Sequence, residues 1–231
     1  MRTVLVTGAA GRVGRRVMSH LEATDWQVQT FDLAYGDDVR DEVHVSDAVR
    51  GCDAVVHAAA LAHDTAGTPT EIVTTNVIGT WHVLRAAEVH EVSKVVTFSS
   101  AQVFGFAEGE GLPLYVPVDD DHPVRASRPY GMSKRLIEDM CEAWTTRTSI
   151  PTVVLRPVMI LEDDEMRALD PGAGELGAVV HVDDVADAVT RSLTMPIDGH
   201  VRAILCGPGE FTSTVARDAL GWRPSRGWPD S

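Results

Sequence analysis

The chain has 231 residues, 44% hydrophobic and 23% charged, a composition that excludes disorder and is enough for one sizeable core. The net charge of −14 gives no basic field to draw in a nucleic-acid backbone or an anionic membrane surface. Three cysteines without paired spacing exclude a disulfide framework and a cysteine zinc site, and the longest apolar stretch, Ala54 to Ala62, is half the length of a membrane span.

In chain order, short apolar runs alternate with segments of helical period, the pattern of a parallel sheet covered by helices. The runs predict strands at Thr3–Thr7, Gln27–Phe31, Ala54–Ala58, Lys94–Ser99, Thr152–Arg156 and Arg202–Leu205. The spacing of Val13, Val17 and Leu21 predicts a first helix that opens inside a glycine turn. Val73, Val77, Trp81 and Leu84 predict a second. Met132, Leu136, Met140 and Trp144 predict a third, stopped before Ile150-Pro151. Gly105 to Arg128, Glu162 to Gly177 and the tail from Gly221 read as loops, and Asp119-Asp120-Asp121-His122 as a solvated acidic loop rather than a metal site. The expected architecture is α/β, a Rossmann-type doubly wound parallel sheet in a single domain over 1–231. Its dinucleotide-binding core is 1–157, and a reduced substrate lobe, 158–231, is interleaved with the last strand.

The most informative local pattern is Thr7-Gly8-Ala9-Ala10-Gly11-Arg12-Val13-Gly14, between a strand and a helix. Glycine there permits a tight turn, lets backbone approach a pyrophosphate and allows close helix–strand packing, while free N–H groups at the helix start meet the phosphate charge. Asp32, 18 residues after Gly14 at the end of the second strand, is placed for a ribose 2′-hydroxyl. Its carboxylate would repel a 2′-phosphate, so the cofactor expected is NAD, with NADP less favoured; Arg12, Arg15 and Arg16 are the residues that speak for NADP.

Tyr130-Gly131-Met132-Ser133-Lys134 sets a phenol and an ammonium on one face of a helix start. A nearby ammonium favours the phenolate, which makes a tyrosine usable as an acid/base near neutral pH. Ser99 and Ser100 stand at the carboxyl end of a strand, the edge at which open α/β sheets hold ligands. His57 and His181 lack companion ligands and read as structural, His57 with a place along the cofactor. Asp183 and Asp184 read as caps for the helix beginning near Val185.

In this order and spacing the sequence resembles the extended short-chain dehydrogenase/reductase superfamily, specifically its NAD-dependent epimerase/dehydratase family of sugar-modifying enzymes. The resemblance runs along most of the chain. It includes the glycine turn, Asp38-Val39-Arg40-Asp41, His57-Ala58-Ala59, Asn76 in Thr75–Thr80, Ser100, Tyr130 with Lys134, Arg156-Pro157 and His181 to Ala186. It implies Tyr130 as the acid/base for a substrate hydroxyl, Lys134 holding the nicotinamide ribose and lowering the phenol pKa, and Ser100, aligned from Val103-Phe104-Gly105, bonding the reacting oxygen. The cofactor contacts it implies are Gly8, Ala10, Gly11, Arg12, Val13, Gly14, Asp32, Asp38, Val39, Ala58, Ala59, Asn76, Tyr130 and Lys134.

Two departures narrow the reaction. The position two after Ser100, acidic in the dehydratases and decarboxylases, is Gln102, which disfavours elimination. The stretch Val158 to Val180 is short and acidic (Glu162, Asp163, Asp164, Glu165, Asp170, Glu175) and makes a poor clamp for a diphosphate. The segment between Asp32 and Asp38 is also cut down, so a helix on the adenine side is expected to be missing.

The compact chain is similar to the uronate dehydrogenases, which also lack a large substrate lobe; a sugar acid would call for a cation, and Arg156 and Arg128 are the candidates. The expected function is therefore an NAD-dependent oxidoreductase or epimerase acting on a sugar, a sugar acid or a nucleotide-sugar. The alternatives are a non-catalytic dinucleotide sensor and a ketoreductase on a non-sugar substrate. A cytoplasmic protein is expected, with no nucleic-acid or membrane partner. A homodimer is plausible through the helices of Asn76 and Tyr130, with Trp81, Trp144 and nearby methionines at the contact or in the core.

Overall fold

The computed structural model describes residues 2–106, 111–168 and 178–226. Eight strands and eight helices alternate through them. The first half runs β1 (Arg2–Thr7), α1 (Arg12–Leu21), β2 (Trp26–Phe31), α2 (Glu42–Val49), β3 (Ala54–His57), α3 (Pro69–Val73), α4 (Gly79–Val89) and β4 (Val95–Phe98). The second half runs α5 (Pro129–Thr148), β5 (Thr152–Pro157), β6 (Met159–Leu161), α6 (Asp163–Ala168), β7 (Val179–His181), α7 (Val182–Thr194), β8 (His200–Leu205) and α8 (Thr214–Leu220). A π-helical turn, Thr74–Ile78, joins α3 to α4, and short 3-10 turns follow β2 and β4.

Six strands form one sheet in the order β2-β1-β3-β4-β5-β8, every pairing parallel, while β6 and β7 pair separately. β3, β4 and β5 are buried along their whole length, as a sheet covered on both faces requires. One face packs Val17, Val185, Val189 and Leu220 of α1, α7 and α8. The other packs Val45, Leu84, Ile137 and Trp144 of α2, α4 and α5. The wrapping reverses between β1 and β3, and that switch point opens a crevice at the carboxyl ends of the strands. The six strand predictions therefore describe one sheet, with ends within two residues of those observed.

The cut-down segment between Asp32 and Asp38 holds only the 3-10 turn Leu33–Tyr35 and no α-helix, as expected; α2 follows it, capped by Asp41 and buried through Val45 and Val49, and β2 is the edge of the described sheet. Two expectations change. α6 occupies part of a stretch read as loop, while Asp170, Glu175 and Gly177 lie outside the described residues. The tail after Gly221 packs back: Trp222 is buried and its Nε1 donates to the Asp184 carbonyl at 2.8 Å.

Two polar groups hold the C-terminal elements. Lys94 donates from Nζ to the carbonyls of Ser192 and Met195, both at 2.7 Å, satisfying the end of α7. Asp120 accepts from the Ile204 and Val215 N–H groups and from Ser213 Oγ, which makes it a staple between its loop, β8 and α8 rather than a solvated carboxylate. No helix among the described residues is long and apolar enough to cross a membrane.

Candidate active site

The glycine turn sits at the switch point. Gly8 takes φ +71, and a Cβ on it would lie 2.6 Å from both Ala58 C and Ala59 N, so β1 and β3 approach there only through glycine. A Cβ on Gly14 would lie 2.1 Å from the Gly8 carbonyl oxygen, whereas one on Gly11 meets that same oxygen at 3.1 Å. Gly14 thus serves packing, and Gly11, as the N-cap of α1, serves access. No side chain caps α1, so the N–H groups of its first turn, from Arg12 and Val13 onward, are left for an anion.

Asp32 ties the two halves of the cradle together. Its Oδ2 accepts from the Ala10 N–H at 2.9 Å and its Oδ1 from the Ala34 N–H at 2.8 Å. A cavity of about 390 Å³ opens beside it, lined by Gly8, Gly11, Asp32, Asp38, Val39, Ala58, Ala59 and others, including Asp37, Arg40 and Glu71. Arg40 grips Asp38 with two nitrogens and holds that carboxyl below its usual range. These residues fit a dinucleotide: backbone donors for a pyrophosphate, a fixed carboxylate for a ribose and a cavity for an adenine.

The arginines of α1 point to other partners. Arg12 donates to the Ile160 carbonyl and to Glu165, both at 2.8 Å. Arg15 donates to the Ala10 carbonyl, and Arg16 pairs with Asp183 at 3.0 Å. Arg12 thus binds the small lobe through its side chain.

At the far side of the crevice, α5 starts beside the 3-10 turn Ala101–Phe104. Gly131 permits this, since a Cβ there would be 2.8 Å from Ala126 Cβ and 3.0 Å from the Gln102 carbonyl. Tyr130 and Lys134 are buried, with Lys134 Nζ 5.7 Å from the Tyr130 ring centre and donating to the Phe98 carbonyl at 2.8 Å. Burial pushes the Lys134 ammonium down to about 8, against the pull of Cys141 and Glu138. Ser100 is partly exposed and accepts from the Gln102 N–H at 3.2 Å. Ser99 is buried, and its Oγ has no hydrogen-bond partner among the described residues.

Several expected residues stand behind the site. Asn76 is fully buried, with Oδ1 accepting from the Leu61 N–H and Nδ2 donating to the Leu61 carbonyl and Ser133 Oγ, so its amide positions the loop after β3. His57 is not along the cofactor cavity but locked between the hydroxyls of Thr7 and Thr80, and burial pushes its imidazole down to about 3. The N-cap of α7 is His181, not Asp183 or Asp184; Asp184 instead accepts from Ser225 and Arg226 of the tail. Arg156 is corrected as a substrate cation because it is buried against Glu138, with Nε and Nη2 at 2.7 and 2.6 Å from the carboxylate. Among the described residues no group of three His, Cys, Asp or Glu is placed to hold a metal ion. Sequence reasoning missed Asp64, whose Oδ1 accepts from the Tyr130 N–H at 2.8 Å across 66 residues; no local pattern signals that pairing.

The sequence profile of the NAD dependent epimerase/dehydratase family matches residues 4–161, from β1 through the Tyr130 helix to the end of β6. The chain belongs to that family. Members are enzymes of the extended short-chain dehydrogenase/reductase type. A uronate dehydrogenase from Pseudomonas syringae pv. tomato is 28% identical over 209 residues, 85% of this chain and 71% of that protein. A putative UDP-glucose 4-epimerase from Methanocaldococcus jannaschii is 28% identical over 170 residues, and the aligned region is 66% of this chain and 54% of the relative. Against that epimerase, the chain spans about half of the relative's length. A short-chain dehydrogenase/reductase superfamily protein from Agrobacterium tumefaciens, solved with bound NAD, superposes with a TM-score of 0.81 over 97% of this chain and 93% of that one, at 22% identity. The family match thus takes in the glycine turn, the Ser100 turn and the Tyr130 helix, and the likeness of fold extends over 97% of the chain.

Proposed function

We propose that this family member is an NAD-dependent oxidoreductase or epimerase acting on a hydroxyl of a sugar, sugar acid or nucleotide-sugar. The observation that carries the reading is the Tyr130–Lys134 pair, buried at the sheet edge beside the Ser100 turn, with the ammonium anchored on the Phe98 carbonyl. When bound, the dinucleotide supplies the hydride acceptor. Tyr130 takes the hydroxyl proton, and the Lys134 ammonium stabilises the phenolate that must form first. Ser100, the more accessible of the two adjacent hydroxyls, bonds the reacting oxygen.

NAD is favoured over NADP because Asp32 holds a carboxylate at the ribose position, while the side chains of Arg12, Arg15 and Arg16 are engaged with other groups. Gln102 offers no carboxyl for elimination, which supports oxidation, or oxidation with re-reduction, over dehydration. The extent of alignment with a uronate dehydrogenase supports a compact substrate such as a sugar acid. Arg128, exposed at the N-cap of the Tyr130 helix, is the cation proposed for its carboxylate. Ile78, Trp81, Met132 and Leu136 are exposed on the helices of Asn76 and Tyr130, and we assign that face to a second copy of the chain; Trp144 is core. Sedimentation of the wild type against Trp81→Glu checks the assignment.

The deciding experiment follows the absorbance of reduced nicotinamide when the protein meets NAD and a panel of sugar acids, free sugars and nucleotide-sugars. A signal lost in Tyr130→Phe establishes a dehydrogenase and names its substrate class. A silent panel with isomerised product establishes the epimerase, and NAD binding with neither outcome refutes both.

A further inference from the structure

The helix that carries Tyr130 and Lys134 opens on Pro129 but has no side-chain cap from its own N-cap residue, Arg128, and its first turn holds no acidic residue. The cap comes from Asp64, in the loop after β3, whose Oδ1 accepts from the Tyr130 N–H at 2.8 Å. That loop is itself fixed, because Asn76 bonds both backbone groups of Leu61. The second Asp64 oxygen, Oδ2, is buried and has no hydrogen-bond partner among the described residues, an arrangement proteins rarely keep without a use. The partial positive charge at the start of a helix suits a carboxylate held there.

From this geometry we infer that Asp64 is a positioning residue for the acid/base tyrosine. By holding the Tyr130 N–H, it sets where the phenol stands relative to Ser100 and Lys134, and it joins the β3 loop, which borders the dinucleotide cavity through Ala58 to Leu61, to the reacting end of α5. Binding of the dinucleotide against that loop is thereby felt at Tyr130. The inference rests on the assignment of Tyr130 as acid/base but is tested apart from it.

The chain has only three tyrosines, so tyrosine labelled with ¹³C at Cζ gives three resonances, assigned by Tyr→Phe substitution. Asp64→Ala should move the Tyr130 resonance and weaken its response to added NAD, while Tyr35 and Tyr115 stay in place. Asp64→Asn, which keeps an acceptor oxygen, should restore the wild-type position. On whichever substrate proves active, Asp64→Ala should lower kcat about tenfold or more with KM within about twofold, and Asp64→Asn should recover most of it. An unmoved Tyr130 resonance in a folded Asp64→Ala protein overturns the inference, as does equal loss in Asp64→Ala and Asp64→Asn. A wild type inactive on every substrate would count against the functional reading alone, because the resonance experiment still decides the role of Asp64.

Discussion

Glu138 and Arg156 face each other as a bidentate pair, 2.7 and 2.6 Å between nitrogens and oxygens, with both side chains almost wholly buried between α5 and β5. Arg156 also donates to the Asp120 carbonyl at 3.1 Å, so the pair ties the Tyr130 helix to the loop that staples β8 and α8. Breaking such a pair leaves one charge buried and uncompensated. Arg156→Ala should cost about 3–5 kcal/mol in a denaturant titration. A fully stable Arg156→Ala that has lost only sugar-acid activity would return Arg156 to the substrate.

Lys134 titrates from about 8 in the folded chain, against an ordinary 10.5. The folded state therefore binds fewer protons than the unfolded between these values, and the contribution of this lysine to stability rises with pH across that window. Activity runs the other way. The ammonium that favours the Tyr130 phenolate is lost above about 8, so kcat/KM should fall there. A pH–rate profile rising steadily to pH 10 would remove Lys134 from this role.

His57 has the same sign of shift at lower pH. Its imidazole is held neutral down to about 3, from an ordinary 6.5, by burial and by Lys134. Below pH 6.5 the unfolded chain gains a proton that the folded chain refuses, so stability falls by up to about 1.4 kcal/mol per pH unit until about 3. Melting temperatures of His57→Gln between pH 7 and 4 should show a shallower acid loss than wild type; parallel curves would contradict this account.

Asp32→Ala removes a carboxylate held by two backbone N–H groups at the cofactor cavity. NAD should bind about tenfold more weakly, equivalent to about 1.4 kcal/mol, with NADP much less affected. Calorimetric titration of both dinucleotides measures the difference, and equal losses would take Asp32 off the ribose.

The glycines of the turn should separate by function. Gly14→Ala drives a Cβ to 2.1 Å from the Gly8 carbonyl, backbone against backbone, and should exceed the roughly 1–3 kcal/mol usual for overpacking. Gly11→Ala meets the same oxygen at 3.1 Å and should spare the fold while weakening dinucleotide binding. Thermal melts with and without NAD distinguish them.

The sequence by itself determined the sheet and marked the glycine turn at its switch point. Apolar runs such as Val4–Val6 and Val153–Leu155 mark buried strands, and the Gly8–Gly14 spacing, Asp32 and Tyr130 with Lys134 carry the proposed cofactor and acid/base roles within short windows. α2 escaped because its buried face is only Val45 and Val49, too short a pattern to separate from a loop. What tertiary structure alone decided is how polar groups are spent. Arg156 is paired with Glu138, Arg12 with Glu165 and the Ile160 carbonyl, Asp120 with Ser213 and Ile204, and Asp64 with the Tyr130 N–H. A charged side chain looks the same in sequence whether it is to meet a ligand or a partner many residues away. Only the folded chain, which must satisfy each buried charge as it closes, makes that choice.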